Sequence, residues 1–506
     1  ILRARVYDVA IETPIDFAKH LSQRLKNEIW LKREDLQSVF SFKIRGAYNR
    51  MSQLTQEQIK KGVVTSSAGN HAQGVGLSAK FLKCRAVIVM PKTTPITKIN
   101  AVRRQKAEVV LYGENYDESY KKAIDISESE GLTFIDPFDD PEVIAGQGTI
   151  GIEILRQCKS PPDSIYVAVG GGGLIAGVAT YVKTLWPKIE IIGVEPEDAD
   201  AMTKSLKAGR RIELENVGLF ADGVAVKKVG KNTFDLAQRY VDRMITVNTD
   251  EICAAIKDVF EDTRSILEPA GALAIAGLKS DVAERNLISK RLLAIACGAN
   301  MNFDRLRFVA ERAELGEERE AMLAVEINEE PGSLKKLCKV IGDRSLTEFS
   351  YRMAKGKKAQ IFIGIEVKDK EDRQNLIKKL VNSEIKTLDL SKDELAKVHL
   401  RHMVGGRLPN SKNNIIGKDY KELLYRFEFP ERPGALMKFL DKLNPNWSIS
   451  IFHYRNHGAD IGRIVVGVLV HKTEINAWNI FLEKLGYKYW DESINLAYQL
   501  FLGADS

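Results

Sequence analysis

The segment SFKIRGA at positions 41–47 places one lysine, Lys43, among small and apolar residues at the start of a predicted helix. The positive end of a helix macrodipole disfavours a protonated amine there, and a neutral amine can form a Schiff base with a carbonyl group. A solvated surface lysine is the plainer interpretation of this segment alone, because the chain contains many lysines. Lys43 is therefore a candidate nucleophile whose assignment depends on other motifs.

The segment SSAGNH at positions 66–71 follows the apolar run Val63–Thr65 and opens a predicted helix. Small residues at such a place leave backbone N–H groups free to bind a carboxylate or a phosphate. The other interpretation is a simple strand-to-helix turn in which Ser67 or Asn70 caps the helix. This segment alone is compatible with both an anion site and a capped turn.

Four consecutive glycines, Gly170 to Gly173, follow the predicted strand Ile165–Val169 and precede Leu174 at a helix start. Without Cβ atoms in the way, the backbone can wrap closely around an anion. A tight turn alone rarely requires four glycines in a row, so the pattern favours an anion-binding function.

Cys297 ends a further predicted strand, Leu292–Ala296. Strand carboxyl ends face the ligand crevice of an open α/β sheet, so Cys297 either lines the site or is a small buried hydrophobic residue. The segment GQGTIG at 146–151 matches GxGxxG but follows a polar stretch instead of a strand, which argues against a dinucleotide site. His399 and His402 are expected on a solvated helix face, and we expect no metal site.

These segments can form one site only if strands and helices place them close together. From about Glu28 to Asn300, short apolar runs alternate with amphipathic segments, which predicts an open, mostly parallel α/β sheet covered by helices. The predicted strands are Val63–Ser66, Ala86–Met90, Val109–Tyr112, Ile165–Val169, Ile191–Glu195 and Leu292–Ala296. The predicted helices include Asn70–Phe81, Asn115–Glu130 and Glu142–Gln157.

Composition limits the class of protein. The chain has 506 residues, which suggests about three domains. Its formal charge of +7 without a Lys/Arg block argues against a nucleic-acid binder, and 44% hydrophobic residues exclude a largely disordered chain. Five scattered cysteines predict free thiols in a reducing, cytoplasmic compartment. The uncharged stretch Ser164–Val182 contains the four glycines, which argues against a membrane span, so we expect a soluble protein.

An internal repeat follows the charged stretch Arg305–Glu320, which is predicted to be an exposed linking helix. Each copy has the pattern of a small α+β unit with the element order βαββαβ. The matched pairs, separated by 102 or 103 residues, are Pro331-Gly332 with Pro433-Gly434, Tyr351-Arg352 with Tyr454-Arg455, and Gly364 with Gly467. The predicted division is a large α/β domain at 1–312, a linker helix at 313–320, a first small unit at 321–394, a connecting loop at 395–422 and a second small unit at 423–495.

Taken together, SFKIRGA, SSAGNHAQG at 66–74 and GGGGL at 170–174 resemble the motifs of the fold-type II pyridoxal-phosphate enzymes, and most closely of the biosynthetic threonine dehydratases (threonine ammonia-lyases). AGQGT at 145–149, EPAGALA at 268–274 and CGAN at 297–300 add to the resemblance. It covers the whole chain, because that family also has tandem C-terminal units similar to ACT-like regulatory domains.

The resemblance implies pyridoxal 5′-phosphate as the cofactor and a catalytic Lys43 that holds it as a Schiff base and then acts as a base. Cys297 would contact the pyridine nitrogen, and Glu268 would support the site. The remaining implied contacts are Asn70 with the cofactor 3′-oxygen, Gly170, Gly171, Gly172, Gly173 and Leu174 with its phosphate, and the backbone of Ser67, Ala68, Gly69, Asn70 and His71 with the substrate carboxylate.

The implied reaction is β-elimination that converts L-threonine, with L-serine as a weaker substrate, to a 2-oxo acid and ammonia. For threonine the product is 2-oxobutanoate, in the first step committed to isoleucine biosynthesis. A thiol beside the ring nitrogen cannot stabilise a protonated pyridinium as a carboxylate would, which favours elimination over transamination.

The same resemblance implies a homotetramer whose C-terminal units bind isoleucine as an inhibitor, with valine opposing it. Tyr351 and Tyr454 could each offer an aromatic ring to a branched side chain, or they could be ordinary strand residues packed between the units. A serine dehydratase or racemase would share every catalytic motif, although such enzymes usually lack a tandem repeat. An amino-acid sensor with an inactive lyase domain is the alternative from another class, against which the intact Lys43, Asn70 and glycine segment argue.

Overall fold

The buried apolar runs of the N-terminal part form strands close to the predicted positions. The computed structural model describes the chain except residues 317, 329–332, 343, 345, 352–357, 401–418, 431–438, 440–441, 445–446, 456–460 and 502–506. It divides into two compact units, Ile1–Ala313 and Glu314–Ser506. The strands of the first unit are β1 (Ile15–Phe17), β2 (Glu28–Arg33), β3 (Val63–Ser66), β4 (Ala86–Met90), β5 (Glu108–Leu111), β6 (Thr133–Phe134), β7 (Ser164–Ala168), β8 (Glu190–Pro196), β9 (Arg243–Val247) and β10 (Arg291–Ala296).

These strands form two sheets within the first unit. The larger sheet has the order β1-β2-β10-β7-β8-β9 and is parallel except for the antiparallel pair β1 and β2. The smaller sheet has the order β5-β4-β3-β6 and is parallel throughout. The predicted open, mostly parallel α/β sheet is therefore confirmed as a class, and it is divided between a large lobe and a small lobe, each named for its sheet.

Helices alternate with the strands and cover both sheets, as parallel strands require. They are α1 (Lys19–Leu25), α2 (Lys43–Met51), α3 (Gln56–Lys61), α4 (Asn70–Leu82), α5 (Ile96–Arg103), α6 (Tyr116–Glu130), α7 (Pro141–Gln157), α8 (Gly173–Leu185), α9 (Ala201–Ala208), α10 (Lys231–Tyr240), α11 (Thr249–Thr263), α12 (Pro269–Arg285) and α13 (Arg305–Gly316). Buried residues of α4 and α5 pack with β3 and β4 in the core of the small lobe. No helix among the described residues is long and apolar enough to cross a membrane.

The GQGTIG segment lies inside α7 and does not form a strand-to-helix turn. Its glycines allow close helix packing instead. A Cβ atom on Gly146 would lie 2.7 Å from the Arg45 carbonyl oxygen, and one on Gly148 would lie 3.0 Å from the Gly177 carbonyl oxygen. The two glycines therefore let α7 approach α2 and α8 closely.

The prediction that Arg305–Glu320 is an exposed helix is wrong on two counts. Helix α13 ends at Gly316, and much of its first part is buried: Phe308 and Val309 belong to the core of the large lobe. Arg312 is also buried, and its guanidinium pairs with Asp250. The charges of Arg305 and Arg312 are satisfied by Asp222 and Asp250 of the same unit.

The second unit contains both copies of the repeat. Its strands are β11 (Glu320–Asn328), β12 (Leu346–Tyr351), β13 (Lys358–Glu366), β14 (Lys386–Asp389), β15 (Tyr420–Pro430), β16 (Ser448–Arg455), β17 (Ile461–His471) and β18 (Lys488–Asp491). Its helices are α14 (Ser333–Ile341), α15 (Lys370–Asn382), α16 (Glu394–Val398), α17 (Ile475–Leu485) and α18 (Leu496–Phe501).

The two copies form antiparallel sheets with the same strand order, β12-β13-β11-β14 and β16-β17-β15-β18. Both copies also shift register at the same place, between Leu346 and Glu348 in one and between Ile449 and Ile451 in the other. The structure thus confirms two α+β units. The Pro-Gly pairs at 331–332 and 433–434, with Arg352 and His402, lie outside the described residues.

Two features of the second unit differ from expectation. The segment predicted to be a connecting loop, 395–422, includes most of helix α16 and the start of β15. His399, expected on a solvated face, is fully buried at the end of α16, because neighbouring Leu395, Ala396 and Leu400 belong to an apolar cluster. The finer domain bounds given above remain a prediction.

Candidate active site

Lys43 is the first residue of α2 and is held in place by the strand end beside it. The Phe42 backbone N–H donates to the Cys297 carbonyl at 3.2 Å, and the Lys43 Nζ donates to the Pro137 carbonyl at 2.7 Å. Burial lowers the pKa of Lys43 to about 8, although the nearby Asp136 carboxylate opposes this shift. The neutral amine expected from the helix dipole is therefore favoured mainly by burial.

The four glycines form the turn between β7 and α8, where bulkier residues would not fit. A Cβ on Gly171 would lie 2.2 Å from the Phe138 ring, and a Cβ on Gly170 would lie 2.8 Å from the Val224 Cα atom. Gly172 has a φ of +96°, which L-residues with side chains rarely adopt. The Thr233 hydroxyl donates to the Gly171 carbonyl at 2.6 Å and fixes this loop at the N-terminus of α8. The result is a backbone cradle suited to an anion.

One cavity brings together the predicted residues from the distant segments. Its lining contains the lysine, the cradle and the end of β10. The lining residues are Phe42, Lys43, Asn70, Phe138, Ala168, Gly170, Gly171, Gly172, Gly173, Leu174, Gly223, Val224, Glu268, Ala270 and Cys297. The cavity therefore includes every residue predicted to bind the cofactor.

The predicted carboxylate-binding segment lies where β3 of the small lobe leads into α4. Residues Ser67, Ala68, Gly69 and Asn70 are half-buried, and the N-cap of α4 is Gly69, which makes no side-chain cap hydrogen bond. The alternative of a turn capped by Ser67 or Asn70 is therefore wrong. The Ser67 hydroxyl instead accepts a hydrogen bond from the Gly69 N–H at 3.2 Å, within the turn. Backbone N–H groups at the start of α4 remain suited to an anion.

The side chain of His71, the last residue of this segment, is buried. Its Nε2 donates to the Ile135 carbonyl at 3.1 Å. Burial, with a further contribution from the charge of Lys43, lowers the pKa of His71 to about 3. The imidazole is therefore neutral near pH 7.

Asn70 and Glu268 form a polar pair across the cavity. The Asn70 Nδ2 donates to Glu268 Oε1 at 2.5 Å, and the Asn300 Nδ2 donates to Asn70 Oδ1 at 2.7 Å. Burial raises the pKa of Glu268 to about 7, and the negative charge of Asp222 adds to this shift. Asn300 also contacts the site, although sequence analysis noted it only as the last residue of the CGAN motif and gave it no role. Its second bond, from the same Nδ2 to the Val39 carbonyl at 2.8 Å, orients the amide.

Cys297 lies at the end of β10, as predicted, and is almost fully buried. Its Sγ donates to the Ala270 carbonyl at 3.3 Å. Burial raises the pKa of this thiol, and the Glu268 carboxylate raises it further. Cys297 is therefore a neutral thiol that lines the cavity.

Tyr351 and Tyr454 occupy equivalent backbone positions in the two copies of the repeat. Tyr351 pairs with Ile361 on β13, and Tyr454 pairs with Ile464 on β17. The placement of both side chains lies outside the described part of the chain. The predicted effector role of these two residues remains a prediction.

Two family models match the chain. One, for the pyridoxal-phosphate dependent enzymes, matches residues 6–298, and another, for the C-terminal regulatory domain of threonine dehydratase, matches residues 311–400 and 416–502. The site fits such a cofactor, since a buried lysine with a lowered pKa lies in the same cavity as a cradle that Cβ atoms would fill. Fold and site together define a pyridoxal-phosphate-dependent enzyme.

Comparison over the whole length identifies the family more closely. The chain is 54% identical over 505 residues to the biosynthetic L-threonine dehydratase of Burkholderia multivorans, covering 99% of this chain and 98% of that protein. It is 51% identical to the chloroplastic biosynthetic threonine dehydratase 1 of Solanum lycopersicum, covering 99% of this chain and 82% of that protein. The solved structure of the processed form of threonine deaminase isoform 2 from Solanum lycopersicum is 54% identical, with a TM-score of 0.61, and the match covers 62% of this chain and 91% of that one. The chain belongs to the biosynthetic threonine dehydratase family.

Proposed function

We propose that this chain converts L-threonine to 2-oxobutanoate and ammonia, the first step committed to isoleucine biosynthesis. The main support for the proposal is that one cavity contains a buried lysine, a glycine cradle and Asn70. The same chain also contains the regulatory repeat. Family membership over nearly the whole chain supports the same reaction.

Pyridoxal phosphate, when bound, withdraws electrons from the substrate Cα atom and so acidifies its proton. The backbone of residues 170–174 would hold the phosphate, and the N–H groups of residues 67–71 would hold the substrate carboxylate. Lys43, with its lowered pKa, would supply a neutral amine, first to bind the cofactor and then to accept the Cα proton at Nζ. The β-hydroxyl would leave as water, taking up one proton in balance with the one removed from Cα, and hydrolysis of the resulting enamine by one water molecule would yield the 2-oxo acid and ammonia.

The groups around the ring favour elimination over side reactions. The neutral Cys297 would face the pyridine nitrogen without supplying the negative charge that keeps a pyridinium protonated. The Asn70 amide, held between Glu268 and Asn300, would hydrogen-bond the 3′-oxygen. Both proposals rest on the positions of these side chains in the cavity.

A serine dehydratase or racemase remains the second candidate, because it would use the same cavity. The assay is 2-oxo acid formation from L-threonine and L-serine by the purified holoenzyme, with and without isoleucine. We expect threonine to be the better substrate and serine the weaker one. Serine turnover well above threonine turnover, or D-serine as the main product, would support the alternative.

We further propose that isoleucine inhibits and valine opposes this inhibition at the C-terminal units, through Tyr351 and Tyr454. The equivalent register of the two tyrosines and the match of this region to a regulatory domain support the proposal. A homotetramer would provide several coupled sites and therefore sigmoidal threonine kinetics. Analytical ultracentrifugation tests the assembly.

A cytoplasmic location is also part of the proposal. Cys84, Cys158, Cys253 and Cys297 are all free thiols, as a reducing compartment would maintain them. Cell fractionation tests the location.

A further inference from the structure

Residues 213–228 form a closed loop on the large lobe, here called the clasp loop. Its two ends are joined, because Glu213 and Lys228 form a backbone bridge and the Leu214 N–H donates to the Lys227 carbonyl at 2.9 Å. The Lys228 Nζ also pairs with Glu213 Oε2 at 3.0 Å. A loop whose ends are joined in this way is compact, and its tip can contact other parts of the protein.

The tip of the clasp loop reaches the cavity. Gly223 and Val224 line it, and Val224 packs against the glycine cradle so closely that a Cβ on Gly170 would collide with it. On its other side, Gly223 faces Ala270 at the start of α12. The position of the tip is therefore tied to the position of the cradle.

Two ion pairs connect the clasp loop to the small lobe. Lys98 on α5 pairs with Asp222 at the tip. Asp117 on α6 pairs with Lys227 at 3.7 Å. Both helices belong to the lobe that supplies the predicted carboxylate-binding residues 67–71, whereas the cradle belongs to the large lobe.

Asp222 is also anchored on the large lobe by helix α13. The Arg305 Nη1 lies 3.2 Å from Asp222 Oδ1 and donates to the Phe220 carbonyl at 3.2 Å. The Phe220 and Phe308 rings pack with their centroids 5.3 Å apart. One carboxylate thus joins a cation of the small lobe to a cation of the large lobe, beside the cavity between them.

We infer that the clasp loop holds the small lobe at its substrate-binding distance from the cradle, with Asp222 as the positioning residue. The small lobe would bind the substrate carboxylate, and the cradle of the large lobe would hold the cofactor with which the substrate reacts. Substrate therefore binds best when the two lobes are already held together, because otherwise part of its binding free energy is spent in closing them. Asp222 would act through Lys98 and Arg305 and would not touch the substrate.

The test is steady-state kinetics of the full-length holoenzyme with L-threonine, comparing Lys98→Met with wild type. We expect KM to rise about tenfold with kcat changed less than threefold, because the bound and closed complex is the same in both proteins. Lys98→Arg, which keeps the positive charge, should restore KM to within about threefold of wild type.

The chain offers a matched control in Lys279→Met. Lys279 pairs with Asp258, which also binds Arg24 at 2.5 Å, so this is a second Lys-Asp-Arg cluster, and all its members belong to the large lobe. We expect its KM to remain within twofold of wild type. An unchanged KM in Lys98→Met, an equal rise in Lys279→Met, or failure of Lys98→Arg to restore KM would overturn the inference.

This inference rests on the proposed function, and the two can fail separately. If wild type forms no 2-oxobutanoate from threonine, the proposed function fails. If wild type is active and Lys98→Met has the same KM, only the role of the clasp loop fails.

Discussion

The reactivity of Lys43 depends on the environment of one nitrogen atom. With a pKa of about 8, about a tenth of the Lys43 amine is neutral at pH 7, whereas the ordinary value of 10.5 would leave about 0.03%. We therefore expect the rate of cofactor uptake by the apoenzyme to rise about tenfold from pH 6 to 7 and to level off above about pH 8. Stopped-flow absorbance measures this rate. A rise that continues tenfold per pH unit up to pH 10 would show that the amine is not buried.

The thiol of Cys297 can be tested by two substitutions with opposite expectations. Cys297→Ser should keep most of the activity, because a hydroxyl is also neutral and can donate to the Ala270 carbonyl as the thiol does at 3.3 Å. Cys297→Asp should protonate the ring and increase transamination. Chromatography of the cofactor after turnover would detect the aminated form. If the serine variant is inactive, or if the aspartate variant forms no side products, Cys297 does not have the proposed role beside the pyridine nitrogen.

At the scale of elements, helix α2 is fixed by a buried network of charges. The Arg45 guanidinium binds Glu34 at 2.7 Å and Glu153 at 2.6 Å, and Lys32 also binds Glu153 at 2.6 Å. All four side chains are completely buried. Burial opposes ionisation, but Arg45 outweighs it and holds the pKa of Glu34 below its usual range. Because Arg45 lies two residues after Lys43, the network holds the helix that begins at the reactive amine.

Arg45→Met should destabilise α2 by about 3–5 kcal/mol, because it leaves two buried carboxylates without their main partner. Hydrogen–deuterium exchange of α2 amides measures the opening free energy. Arg85→Met is the matched control, since Arg85 also binds two glutamates, Glu108 and Glu130, but on the surface. Its effect on the opening free energy of the adjacent strand β4 should stay below about 1 kcal/mol. Equal effects of the two substitutions would contradict the account.

Local patterns predict the elements well, and they predict the contacts between distant segments poorly. β3 and β4 have the predicted bounds, because buried β-branched runs between helices are a local signal. The glycines after β7 and Cys297 after β10 reach one cavity because these two strands are parallel neighbours and end at the same edge of the sheet. The bond between Asn300 and Asn70 joins residues 230 positions apart, and the pair Lys98 with Asp222 spans 124. Such contacts depend on how the lobes pack, which spacing along the chain does not encode.

At the scale of the whole molecule, regulation is expected to reside in the repeat. Tyr351→Ala and Tyr454→Ala should relieve isoleucine inhibition and leave uninhibited turnover nearly unchanged, because neither residue belongs to the catalytic unit. Threonine saturation curves with and without isoleucine measure the effect, and loss of sigmoidal kinetics should accompany it. If the double variant is still fully inhibited, the effector site lies elsewhere.

Lys43 is the residue that we expect to hold the cofactor. The most direct measurement is borohydride reduction of the purified holoenzyme, which makes the bond between lysine and cofactor permanent, followed by mass spectrometry of its peptides. We predict the pyridoxyl group on Lys43 and on no other lysine, with none incorporated by a Lys43→Ala variant that still folds and binds the cofactor without a covalent bond. A pyridoxyl group on a different lysine, or equal labelling of the variant, would contradict the account.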